Sequence, residues 1–95
     1  APREIDDALY LHEAVLEAAA VGVDHAGYGQ DVVACVRLRD GYEATEATLI
    51  EHCKVRVGTF KAPSRIHFMA ELPKGPSGKI QRLKLPELLL ADTNP

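Results

Sequence analysis

The residues best placed to do chemistry lie together towards the C-terminal end, in Leu72-Pro-Lys-Gly-Pro-Ser-Gly-Lys79. Pro73, Gly75, Pro76 and Gly78 break any helix or strand here and restrict the shape of the loop they form. Lys79, at the end of that loop, is a cation held in place instead of sweeping through solvent. Such a lysine can neutralise one particular anionic oxygen as charge develops in a transition state. A Walker-type phosphate loop is the obvious comparison and it fails twice. It needs Gly at position 73, which is Pro, and Ser or Thr at position 80, which is Ile. On these residues alone a solvated surface turn remains the simpler reading.

The charge pattern adds to the interest of this segment. The net charge of −3 hides two unlike halves. Residues 1–51 carry eleven acids against three bases, and residues 52–95 three acids against eight bases. Between 72 and 86 there are four bases (Lys74, Lys79, Arg82, Lys84) and no acid. A positive field there suits a phosphate or carboxylate partner, although a solvated basic surface gives the same composition.

Other chemistries find less support. His12, His25, His52 and His67 are scattered, and no C-x-x-C or H-x-x-x-H pair supplies tetrahedral metal ligands. Ser64 and Ser77 have no identifiable base. Cys35 and Cys53 are too few for a disulfide scaffold and read as buried thiols. Five Tyr and Phe residues, without an aromatic pattern in the strands, argue against nucleic-acid binding. No apolar run is long enough to span a bilayer, and the charged start is unlike a secretory signal, which fits a cytoplasmic protein.

The elements that must carry the loop follow from periodicity. Pro2 suits a first helical position, and Ile5, Ala8, Leu9 and His12 recur at helical spacing, which predicts a helix over 2–12. Residues 14–23 are apolar almost throughout, as in a strand covered on both faces. Residues 24–29 have turn chemistry. Residues 31–39 alternate, with Val32, Ala34, Val36 and Leu38 on one face. Thr45 is a plausible N-cap for a helix bearing Leu49, Ile50, Cys53 and Val57 on one side and stopping at Gly58. Residues 65–70 read as a third strand with Ile66 and Phe68 inward. Leu83, Leu85, Leu88 and Leu89 suggest a terminal helix that Pro86 must start or kink. Ninety-five residues, 46% of them apolar, suffice for one domain spanning 1–95. The order α-β-β-α-β-α implies a small α/β (α+β) fold with helices packed on a mainly antiparallel three-stranded sheet.

Leu72-Pro-Lys-Gly-Pro-Ser-Gly-Lys-Ile-Gln-Arg82 closely resembles the L-P-K-T-P-S-G-K-I-Q-R signature of the adenylate-forming enzymes, which include acyl-CoA synthetases, luciferases and peptide-synthetase adenylation domains. Pro2-Arg-Glu-Ile-Asp-Asp-Ala-Leu9 is similar to that family's P-x-E-V-E-x-x-L helix. Val15-Leu-Glu-Ala-Ala-Ala-Val-Gly-Val-Asp24 is similar to its V-x-E-A-A-V-V-G-x-P-D strand. Tyr28-Gly-Gln30, His52-Cys-Lys54 and Phe60-Lys-Ala-Pro63 fall where the family has Y-G-E/Q, C-R and Y-K-x-P. Gly75 stands where Thr is common, and Lys54 where Arg often sits. The wording S-G-K-I-Q-R is more typical of CoA ligases, with a peptide-synthetase-type or luciferase-type enzyme as the alternative.

The resemblance implies that this is the C-terminal domain of an acid–CoA ligase, with the hinge and a large N-terminal ATP-binding domain before it. The whole enzyme would convert a carboxylic acid, Mg-ATP and CoA to acyl-CoA, AMP and pyrophosphate through an acyl-adenylate. Lys79 would be the adenylation lysine, Ser77 and Gly78 would shape its loop, and Lys54 and Arg56 would be candidates for CoA phosphates. Two readings from other classes stay open at this point: a non-catalytic anion-binding α/β module, and a protein-interaction domain.

Overall fold

The computed structural model describes residues 2–25 and 29–93. Pro2 opens α1 (Pro2–Tyr10), whose Ile5, Ala8 and Leu9 are buried at i, i+3, i+4 spacing. The helix stops two residues before the predicted end. His12 instead lies in a turn whose backbone bonds run back to Ala8 and Leu9. The apolar run becomes β1 (Val15–His25), and the alternating run becomes β2 (Gly29–Leu38), paired antiparallel from Val15↔Leu38 to His25↔Gly29. The strands therefore run further into the expected turn than 23 and 31. Residues 26–28 of that turn lie outside the described residues.

The Asp40-Gly41 turn forms, with Gly41 at positive φ. Thr45 caps α2 (Glu46–Val57), its side chain accepting from the Thr48 N–H, and Gly58 ends the helix at φ 92°. The helix carries the chain across the sheet to β3 (Arg65–Phe68), which pairs with β2 in parallel. The sheet is thus mixed, in the order β1-β2-β3, with its long ladder antiparallel as expected. A β-α-β crossover of this kind returns the chain in the same direction.

Strict alternation sends β2 side chains to two separate cores. Ala34 and Val36 join Val15, Ala18, Ala20 and Ile66 beneath α1 and α2. Val33 and Cys35 join Ala19 and Val21 beneath Leu72, Leu85 and Leu89. The burial of β1 on both faces follows from this sandwiching. Both cysteines are buried, and burial pushes the Cys53 thiol up from its ordinary value.

Two expectations need correction. Phe68, expected to point inward, is 43% exposed. It shares a face with Ile66 but ends a four-residue edge strand and does not join the core. Leu83, expected within the terminal helix, instead lies in a 3-10 turn (Arg82–Lys84) ahead of it and faces solvent. Pro86 is the second residue of α3 (Leu85–Thr93), so it starts the helix and does not kink it.

Candidate active-site loop

The loop is a small closed ring, and the residue types explain its closure. Pro76 follows Gly75 in a four-residue turn whose Gly78 N–H donates to the Gly75 carbonyl at 3.0 Å. Gly78 has φ 83°, a conformation that side-chain-bearing residues rarely adopt. Below the turn the Gly75 N–H donates to the Lys79 carbonyl at 2.9 Å. Lys74 bridges Ile80, and the Gln81 N–H donates to the Pro73 carbonyl at 2.8 Å. What looked irregular in sequence is a short antiparallel ladder closed by a proline turn. Lys79 is the first residue after the turn, with its backbone tied and its side chain in solvent. Ser77 and Gly78, expected to shape the loop, sit at the exposed tip of the turn.

Three anchors fasten this ring to the domain. Leu72, at its start, is 1% exposed and packs into the second core. Lys74 reaches Glu17 of β1, with Nζ 3.0 Å from Oε2, and Arg37 of β2 approaches the same carboxylate at 3.2 Å. Burial works to raise the Glu17 pKa, but hydrogen bonds and charge from Lys74 and Arg37 outweigh it and hold the carboxyl below its ordinary range. Arg82, just after the ring, donates to both oxygens of Asp6, from Nη2 at 2.6 Å and from Nη1 at 3.3 Å. The hydrogen bonds from Arg82 to Asp6 raise the guanidinium pKa further, so Arg82 stays charged.

These pairs change the meaning of the basic stretch. Two of its four bases, Lys74 and Arg82, are consumed inside the domain. Among the described residues no acid pairs with Lys79 or Lys84. The positive field is therefore narrower than the composition suggested, and it centres on a lysine whose backbone is fixed.

The comparisons with known proteins bear on what such a lysine does. Residues 4–79 match the AMP-binding enzyme C-terminal domain. The chain belongs to that family. It is 55% identical over 85 residues to a sulfoacetate–CoA ligase of Cupriavidus necator, covering 90% of this chain and 17% of that protein. It is 40% identical over 86 residues to the mitochondrial medium-chain acyl-CoA ligase of Homo sapiens, covering 90% and 14%. A crystal structure of an acyl-CoA synthetase from Brucella canis superposes with a TM-score of 0.86 at 40% identity, over 98% of this chain and 18% of that one. The chain thus spans less than a fifth of the length of each.

Other candidate residues of this AMP-binding C-terminal domain sit elsewhere. Lys54 and Arg56 lie in the last turn of α2, which covers one face of the sheet, whereas Leu72 at the start of the Lys79 loop packs on the other. Arg56 donates to its own helix at the His52 carbonyl, 3.3 Å away. The structure does not bring these two bases to Lys79. Tyr28 lies outside the described residues. Among the described residues no three His, Cys, Asp or Glu side chains gather where a metal could be held. No helix there is long and apolar enough to cross a membrane.

Sequence reasoning missed Asp6, Glu17, Lys74 and Arg82 as positioning groups. A signal was present in two of them. Asp6 interrupts the apolar face of α1, and Glu17 interrupts an apolar strand, and a carboxylate in such company needs a partner.

Proposed function

We propose that this AMP-binding C-terminal domain serves a full-length acid–CoA ligase and supplies its adenylation lysine, Lys79. The enzyme uses Mg-ATP, with the metal entering as part of that substrate, and CoA. A carboxylate oxygen attacks the α-phosphorus and pyrophosphate leaves, which gives the acyl-adenylate. The CoA thiol then attacks the acyl carbon and AMP leaves. The first step brings two anions together, so a pre-positioned ammonium lowers its barrier. Lys79 acts here as a fixed charge, neither base nor nucleophile.

The observation that carries this reading is the unpaired, solvent-facing Lys79 on a ring whose other bases are neutralised. The relatives named above are CoA ligases, which favours a thioester product. Lys54 and Arg56, on the opposite face, are candidates for the CoA phosphates in the second step, when a reoriented domain would present another surface.

The test is Lys79→Ala in the full-length protein, with each half-reaction assayed separately. Adenylation from acid and Mg-ATP should fall by about 10²–10³. Thioester formation from preformed acyl-adenylate and CoA should stay near the unsubstituted rate. Equal losses in both would assign Lys79 to the fold or the interdomain contact.

A further inference from the structure

Among the described residues the sheet has three strands with β1 at an edge, and its outward backbone groups need partners. At Ala20, midway along β1, a side-chain pair supplies them. Asp6 Oδ1 accepts from the Ala20 N–H at 2.6 Å, and the Arg82 guanidinium donates to the Ala20 carbonyl. The same two side chains bond each other through both carboxylate oxygens. One buried carboxylate and one guanidinium therefore do at this point what a neighbouring strand would do. They also join α1 and the centre of β1 to the turn that leaves the Lys79 ring, more than 60 positions on in sequence.

We propose that Asp6 and Arg82 are positioning residues for adenylation, locking the C-terminal stem of the ring to the edge of β1 and so fixing where Lys79 reaches. This rests on the reading of Lys79 given above. The geometry favours positioning over simple stabilisation. Arg82 is three residues from Lys79, and Gln81 between them closes the ring through Pro73. The Asp6 side chain is only 11% exposed, so removing either partner leaves the other poorly compensated by solvent. A bidentate guanidinium fixes direction as well as distance, which a single-point contact does not.

A matched control exists on the opposite edge. Glu46 of α2 accepts from the Ile66 N–H of β3 at 2.9 Å and from Arg65 at 2.8 Å. It is also a helix carboxylate on an edge strand paired with an arginine, but it touches no part of the ring.

The experiment uses the full-length protein carrying Asp6→Asn, Arg82→Gln, both together, or Glu46→Gln, with Lys79→Ala as reference. The acid is whichever of sulfoacetate, octanoate and acetate the unsubstituted enzyme turns over fastest. Asp6→Asn and Arg82→Gln should each lower adenylation by about tenfold or more, since small misplacements of a catalytic group are that costly. Thioester formation from preformed acyl-adenylate should change less than about twofold, and the double variant should lose no more than the worse single one. Glu46→Gln should leave the ratio of the two rates unchanged. A readout independent of turnover is cleavage after Lys79 by a lysine-specific protease under native conditions. It should accelerate in Asp6→Asn and Arg82→Gln and not in Glu46→Gln. Equal losses in both half-reactions, or cleavage no faster than in the Glu46→Gln control, would overturn the proposal. If Lys79→Ala itself spares adenylation, the reading of Lys79 has failed, and the cleavage rates still decide whether the pair holds the loop.

Discussion

Charge at single residues is allotted so that little is left over near the ring. Glu17 takes Lys74 and Arg37, Asp6 takes Arg82, and Lys79 is left with no acid partner among the described residues. A second allotment concerns the two facing imidazoles, His12 and His52, whose rings meet edge-on at 5.0 Å. His52 Nε2 donates to the Ala8 carbonyl at 2.6 Å, and His12 Nδ1 accepts from the Ala14 N–H at 3.1 Å. Burial lowers the His52 pKa, the bond to Ala8 works against that, and the charges of Arg56 and His12 lower it further. The folded chain thus binds this proton less readily than the unfolded chain. Its contribution to stability is constant above about pH 6.5 and falls as pH drops below that, until folded His52 itself titrates. Urea midpoints should therefore decline between pH 7.5 and pH 5.5, and His52→Gln should flatten that decline. The lowered carboxylates act in a separate window, since Glu17 and Glu46 lose their contribution only as pH falls below about 4.5 towards their folded values. An unchanged slope in His52→Gln would remove histidine from the account.

At the scale of elements, the loop behaves as part of the second core. Leu72 is buried to 1% exposure beside Leu85 and Cys35, so the ring begins from a packed side chain. Leu72→Ala should cost about 2–5 kcal/mol in chemical denaturation, because a cavity opens where the ring meets the sheet. A cost under about 1 kcal/mol would mean that the ring floats on the sheet. The elements themselves were largely legible in the sequence. Alternation from Val32 to Leu38 sorted the side chains onto the correct faces, and Thr45 and Gly58 marked the ends of α2 because capping is local chemistry. The Pro76–Gly78 turn signal was legible for the same reason. What could not be read depends on distance in sequence. Asp6 and Arg82 are 76 positions apart, and no periodicity announces that one will meet the other across a strand edge. Phe68 was misplaced because apolar type says nothing about where a short edge strand leaves the core. The parallel pairing of β3 follows from α2 crossing the sheet, a property of three elements together.

The whole molecule closes its own core, and this separates folding from activity. Both sheet faces are covered by the chain's own helices and loop, and each sheet edge has a side-chain carboxylate taking one of its backbone N–H groups. The radius of gyration of 12.8 Å is close to the roughly 12.4 Å expected of a compact domain this long. This arrangement should therefore fold without contacts from another domain. The proposed chemistry does need another domain, because Lys79 projects away from the domain and a charge in solvent stabilises no transition state until a site is built around it. The purified 95-residue chain should therefore unfold cooperatively in urea, with one transition by fluorescence of its tyrosines and by far-ultraviolet circular dichroism. Supplied with Mg-ATP and each of sulfoacetate, octanoate and acetate, it should release no pyrophosphate above the level without acid. A broad or probe-dependent transition would show that the core needs contacts from the rest of the enzyme. Acid-dependent pyrophosphate release would place a nucleotide site within these 95 residues and overturn the division of labour argued here.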